Sequence, residues 1–291
     1  MKRECLLLAV ALASACGGGP DGPQRVVLQN KGSDTLVNVA QAWAEQYKNV
    51  NPNVAIAVTG GGSGTGIAAL INGTVDVANS SRKIKDEELA SARTNGADPK
   101  ELVVGYDALA VYVHTDNPLG EISPAQLAEI YGEDGSSASW SDLGIEVPGC
   151  SSDEIVRISR QNNSGTYVYF REAVLGMRRD FKLGSRDMHG SKDVVDLVAN
   201  TPCAIGYSGL AYATPEVKMP CINGDEGCVA PSIASAVDGS YPIARPLLMY
   251  TRTAPEGAVA EYLNWVLSDA GQCILLGKGY APAQAVTCGT G

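Results

Sequence analysis

Three stretches of this chain join glycine to hydroxyl-bearing residues directly ahead of a segment with helical apolar spacing: Gly32-Ser33-Asp34-Thr35, Gly62-Ser63-Gly64-Thr65-Gly66 and Ser164-Gly165-Thr166. The start of a helix exposes N–H groups with no intrahelical acceptor and carries the positive end of the helix dipole. Glycine lets the backbone approach a ligand closely, and serine and threonine add O–H donors. Two arginines accompany the turns: Arg82 follows Ser80-Ser81, and Arg160 stands four residues before Ser164. A planar guanidinium meets two oxygens of one anion at once. Taken singly, each turn is ordinary helix capping, with Ser63 and Ser164 as N-caps and each arginine half of a surface ion pair. Together they describe a cage of N–H and O–H donors for a small tetrahedral oxyanion.

Other chemistries find less support. The glycine-rich run 60–66 lacks the Lys-Ser/Thr ending of a phosphate-binding P-loop and does not fit GxGxxG. Ser63 is not in a GxSxG elbow, because Thr65 occupies the last glycine position. Of the two histidines, His114 ends an apolar stretch and reads as a structural residue between lobes, and His189 lies in a charged loop. An extracellular phosphatase needs a nucleophile with its base, or a metal cluster, and the sequence offers neither; no cofactor or metal is expected. The net charge is −10 with no basic run interleaved with aromatics, which argues against nucleic acid. An acidic chain that captures an anion does so through local dipoles and a few arginines, since its overall field repels the ligand.

The elements that must hold these turns are legible from periodicity. Residues 26–28 read as a strand, and Leu36, Val39, Ala40, Trp43, Ala44 and Tyr47 fall at helical spacing. A strand at 54–58, a helix at 67–71, a strand at 75–78 and a charged helix at 86–94 follow. The alternation predicts an α/β layer architecture with mainly parallel strands. Two long apolar stretches, 102–114 (LVVGYDALAVYVH) and 241–250 (YPIARPLLMY), bracket residues 115–240 and suggest two crossings between lobes. Inside the bracket the alternation recurs: a strand at 155–159, a helix at 166–175, a helix around 194–198 and a strand at 204–207. A helix at 258–267 is expected to return to the first lobe. The 291 residues suffice for two such lobes around separate cores: 25–105 plus 247–291, and 106–246.

Residues 1–24 read as an export signal and tether. Lys2 and Arg3 precede a short apolar stretch at 6–12, too short to span a bilayer, and Ala13-Ser14-Ala15 leads to Cys16. Small residues before a cysteine, followed by Gly17-Gly18-Gly19-Pro20, resemble a bacterial lipobox, with Cys16 as the site of diacylglyceryl attachment. The protein is expected to be periplasmic or at the cell surface, held to the membrane by that lipid alone. With Cys5 and Cys16 set aside, Cys150, Cys203, Cys221, Cys228, Cys273 and Cys288 remain, an even number in an oxidising compartment. Six cysteines allow fifteen pairings. The expected set is Cys221 with Cys228 across a short loop, Cys273 with Cys288 near the C-terminus, and Cys150 with Cys203 by elimination.

With these residues in place, the chain resembles the substrate-binding proteins of bacterial ABC-type phosphate uptake systems over nearly all of 26–285. The resemblance rests on GSDTL before the Trp43 helix, TGGGSGTGIAALINGTVDVANSSRKI, ISRQNNSGTY and VANTPCAIGYSGLAYA. It implies a two-lobed, type II-like periplasmic-binding-protein fold with lobes joined by two crossing strands. It also implies a monomer that closes over one phosphate and presents it to the transmembrane subunits of an ABC permease. Carried over by position, the ligands are Ser33, Asp34, Thr35, Ser63, Arg160, Ser164, Gly165 and Thr166. Many family members have an aspartate where this chain has Ser81, and another where it has Asn162; a branch has Ser-Arg at the first place, as here, so that Arg82 is expected to supply a second guanidinium. Asp34 is then the candidate acceptor for the proton of hydrogen phosphate, against the plainer role of a helix cap. The competing readings are another oxyanion (sulfate, molybdate or arsenate), or a phosphatase or adhesin on the same fold.

Overall fold

The computed structural model describes residues 25–176, 178–225 and 227–289. The leader, the tether and Cys16 lie outside the described residues, and among those described no helix is long and apolar enough to cross a membrane.

One long strand organises the sheet. Lys100–His114 has 15 residues, a reach of about 50 Å at about 3.3 Å per residue. Its first part pairs antiparallel with Ala244–Thr251, and its last part pairs antiparallel with Ala204–Gly209. Beyond Ala244–Thr251 lie Val77–Ser80, Val26–Gly32 and Val54–Thr59, the last three parallel to one another. Beyond Ala204–Gly209 lie Val156–Arg160 and Arg186–Met188, again parallel. The parallel strands expected from the alternation are therefore found on both flanks, and the centre is antiparallel. The reason is topological: the strand that leaves the first flank and the one that returns to it run in opposite directions. The returning strand carries Pro246, which lacks an N–H, and its register shifts between Leu247 and Leu248.

The flanks have separate cores. One draws its buried residues from 28–104 and 247–280, with Trp43 and Tyr47 of helix Val37–Val50 packed among Leu28, Tyr262, Leu263 and Leu275. The helix expected to return at 258–267 is Gly257–Val266 and contributes to this core. The other core draws on 108–243 together with Ala281. Its centre is aromatic: the Phe170 ring stacks on Tyr207 at 3.8 Å between centroids, with Tyr131 edge-on to both.

Several elements differ from expectation in extent. The strand expected at 75–78 is Val77–Ser80, which carries its end to Ser81 and Arg82. The helix expected at 166–175 is α-helical only over Gly165–Phe170 and widens into a π turn over Arg171–Leu175. Helix Asp86–Thr94 opens with Asp86, Glu87 and Glu88, which complement its dipole.

The disulfides are Cys150–Cys203, Cys221–Cys228 and Cys273–Cys288, the set expected from the sequence. Loop closure in the unfolded chain ranks them by separation, 53, 15 and 7 residues, at about 4, about 3 and about 2 kcal/mol. Replacing each pair by alanine in turn is expected to lower the urea midpoint most for Cys150–Cys203 and least for Cys221–Cys228. The reverse order would show that native-state effects outweigh chain entropy.

Candidate functional site

The first turn follows strand Val26–Gly32. Gly32 has φ +144°, and a Cβ there would lie 2.1 Å from the Asn79 carbonyl oxygen, so the turn closes against Val77–Ser80 only with glycine. The Ser33 N–H donates to that same oxygen at 2.9 Å, and the Ser33 hydroxyl donates to Ser81 Oγ at 2.9 Å. In the second turn Gly61 and Gly62 both have positive φ, and Ser63 is the first residue of helix Ser63–Ile71 rather than its cap. Ser63 Oγ accepts from the Ser81 N–H at 3.0 Å and lies 3.4 Å from Ser81 Oγ. In the third turn Ser164 is the N-cap, its Oγ accepting from the Thr166 N–H at 3.1 Å. Ser33, Thr35, Ser63, Ser81, Ser164 and Thr166 are all buried.

These turns come from opposite flanks of the sheet and touch. Thr35 Oγ1 and Thr166 Oγ1 are 3.2 Å apart. The Gly64 N–H donates to the Asn163 carbonyl at 3.0 Å, and Asn163 Nδ2 donates to the Gly61 carbonyl at 3.0 Å. A Cβ on Gly165 would fall 2.3 Å from Ser63 Oγ and 2.6 Å from Ser81 Oγ. The described arrangement is thus a closed one.

Three buried guanidinium groups surround the hydroxyls, each with a carboxylate. Arg160 donates from Nη1 to Ser191 Oγ at 2.9 Å, and from Nη2 to the His189 carbonyl at 2.7 Å and Asp34 Oδ2 at 3.2 Å. Burial lowers its pKa and Asp34 opposes that; an arginine remains charged all the same. Asp34 does not cap its own helix. Its Oδ1 accepts from the Gly61 N–H at 2.8 Å, so the carboxylate bridges the second turn to Arg160. Arg82, expected to reach the anion, has both Nη atoms on the Glu88 carboxylate, at 2.8 and 2.7 Å, and Nη1 also on the Lys83 carbonyl. Burial raises the Glu88 pKa, but the bonds from Arg82 and Lys85 outweigh it and leave the carboxyl below its ordinary value.

The third guanidinium escaped the sequence reading. Arg245, on the returning strand, is fully buried against Asp107 on the long strand, with Nη2 at 2.9 Å from Oδ2. The same Nη2 lies 3.3 Å from Thr35 Oγ1 and 3.1 Å from Thr166 Oγ1. The signal was present: an arginine and an aspartate, each alone inside one of the two apolar stretches taken to cross together. Ser81, noted only as a departure from the family pattern, stands between Ser33 and Ser63. Tyr212 and Tyr280 were also missed; their hydroxyls donate to the Asp34 and Thr35 carbonyls. A groove of about 630 Å3 runs alongside, lined by Lys85, Asn162, Tyr167 and Arg171 among others. Elsewhere Glu121, Cys221 and Cys228 approach one another, but both sulfurs are in a disulfide and offer no thiolate to a metal.

A fold of two cores joined by antiparallel strands, with helix starts meeting between them, is that of the periplasmic binding proteins. The chain matches the PBP superfamily domain over residues 19–270 and belongs to that family. It is 36% identical over 271 residues to the phosphate-binding protein PstS of Pseudomonas aeruginosa, covering 89% of this chain and 83% of that protein. It is 32% identical to protein SphX of Synechococcus elongatus, covering 100% of this chain and 88% of the other. Among solved structures it resembles a candidate phosphate ABC transporter substrate-binding protein of Clostridium perfringens with bound phosphate. That match has a TM-score of 0.78 at 26% identity, over 89% of this chain and 100% of that one.

Gly165 opens its helix without a positive φ, so alanine fits locally and is the better helix former. Its methyl nevertheless meets two hydroxyls of the opposite flank. Gly165→Ala is expected to melt at or above the parent temperature while small-angle scattering reports a larger radius of gyration. A scattering profile identical to the parent's would contradict the contact.

Proposed function

We propose that this protein is exported, binds inorganic phosphate in the cleft between its two lobes and delivers it to an ABC-type permease, without chemical turnover. The observation that carries this reading is the convergence of five buried hydroxyl residues from three glycine-bearing turns on opposite flanks, joined by Ser81 and Arg160 at the ends of two strands. Such a set offers many O–H and N–H donors in fixed directions, which suits the oxygens of a tetrahedral anion stripped of water. The names of the Pseudomonas and Clostridium relatives support phosphate as that anion and transport as its use.

In this reading the lobes are 25–105 plus 247–291 and 106–246, which the buried membership of the two cores supports apart from Ala281, a first-lobe residue in the second-lobe core. The anion is held by Ser33, Thr35, Ser63, Arg160, Ser164, Gly165 and Thr166, with Asp34 beside it. Arg82 stands behind the second turn and takes no direct part in holding the anion, since both its Nη atoms remain on Glu88, which offsets its charge. The closed form, which neither lobe completes alone, is what the permease distinguishes from an empty open one. Cys16 carries the lipid, residues 17–24 form the tether, and the protein acts as a monomer.

Calorimetry of the purified protein with phosphate is expected to give a dissociation constant between about 10 nM and about 10 μM. Neither heat nor competition at about 1 mM phosphate, some hundredfold above that range, would contradict the reading.

Selectivity rests on one proton. Hydrogen phosphate has a proton to donate and sulfate at neutral pH has none, so a carboxylate facing the site leaves sulfate with an unpaired acceptor. With a hydroxyl at Ser81, Asp34 is the carboxylate to serve, and each of its oxygens already accepts one protein N–H while retaining a second lone pair. That sharing favours, as a second reading, a site that also admits sulfate, arsenate or molybdate. Asp34→Asn is expected to raise sulfate affinity relative to phosphate in paired titrations. A lower stability with an unchanged ratio would leave Asp34 as a structural bridge only.

A further inference from the structure

We propose that Arg245, anchored by Asp107, is a positioning residue of the anion site that fastens the two lobes together once they have closed. The proposal rests on the reading of the cleft as a phosphate site. Arg245 lies on a strand that joins the lobes, and its guanidinium reaches three segments beyond its anchor. Nη1 donates to the Ser81 carbonyl at 3.3 Å, at the end of a first-lobe strand. Nη2 is shared between Thr35 of the first lobe and Thr166 of the second, at 3.3 and 3.1 Å.

The anchor explains why those donors are free. Nε and Nη2 both point to the same Asp107 oxygen, Oδ2, at 3.3 and 2.9 Å, and Oδ1 is buried without a partner. The anchor takes the Nε N–H and one N–H of Nη2, which leaves both N–H groups of Nη1 and the second of Nη2 for the site. Burial pushes the Asp107 carboxyl up, opposed by Arg245. Tyr169 covers the guanidinium, its ring centroid 5.7 Å away.

The effect on the hydroxyls is directional. A threonine oxygen that accepts a guanidinium N–H keeps its own hydrogen to donate. With both Thr35 and Thr166 oxygens taken up by the same nitrogen, both O–H groups are available to one anion between the lobes. The two hydroxyls can also bond each other across 3.2 Å, and a guanidinium N–H on both oxygens favours turning their hydrogens to the anion instead. Because Nη2 reaches both threonines together only when the lobes meet, Arg245 acts after closure, on release rather than on capture.

The test uses the whole exported chain. Arg245→Met is combined with Asp107→Asn so that no carboxylate is stranded in the core, and Arg245→Lys is made separately. Radiolabelled phosphate association and release are measured by rapid filtration, with folding checked by circular dichroism. The double variant is expected to associate within about twofold of the parent and to release at least about tenfold faster, raising the dissociation constant by the same factor. Arg245→Lys, with a single compact ammonium, is expected to fall between. Release within about twofold of the parent, or a loss confined to association, would overturn the proposal. Should the double variant fail to fold, the lysine variant decides by the same release criterion. A parent that binds no phosphate would instead overturn the reading of the cleft, and this proposal with it.

Discussion

Helix starts at Ser63 and Gly165 meet at contact distance in a buried place, and the positive ends of two dipoles do not lie together there unless negative charge accompanies them. The rest of the site follows from that constraint. Asp34 accepts an N–H just ahead of one helix and the guanidinium just ahead of the other, so a single carboxylate links the two starts. Each buried guanidinium near the hydroxyls has its own carboxylate: Arg160 with Asp34, Arg82 with Glu88, Arg245 with Asp107. The full charges largely cancel, and what remains is oriented donors. A chain with net charge −10 can thereby hold an anion, because attraction arises within a few ångströms of the turns and not from the surface field.

The scaffold serves this meeting of helix starts. Two strands that pass between the cores in opposite directions leave each flank free to pack by itself, while every flank strand ends close to the crossing. Gly32 and Gly66 let the first two turns pack on neighbouring backbone, at Asn79 and Lys31 respectively. Burial of an ion pair on the crossing strands is expensive, and in energetic terms apolar residues would serve packing as well or better. Its retention is intelligible if the pair orients hydroxyls at the site, which is the role assigned to Arg245.

Much of this was legible in the sequence. The strands and helices that carry the three turns, the turns themselves and the two crossings could be read from periodicity and turn chemistry, because each is encoded over a short span. Of the disulfides, only the short loop of Cys221 with Cys228 has such a local signal, and Cys150 with Cys203 followed by elimination across 53 residues. What escaped depends on contacts far apart in the chain. Arg245 and Asp107 are separated by 138 residues and sit within apolar runs that read as pure core. Glu88 is one of three acids opening a charged helix, and only the fold aims it at Arg82. Asp34 was read as a proton acceptor or as the cap of its own helix; its bond to Gly61 spans a turn 27 residues away. The π turn at Arg171–Leu175 has no signal in the apolar spacing, which continues through it.

The central claim is that one tetrahedral anion sits between the three turns. A crystal of the protein grown with arsenate, measured at the arsenic absorption edge, tests it most directly, since the anomalous map shows the anion whatever else fills the cleft. The account predicts a single strong peak within hydrogen-bond reach of Thr35, Ser63, Thr166 and Arg160. A peak instead in the groove lined by Lys85 and Arg171, or none in the cleft at saturating arsenate, would contradict it.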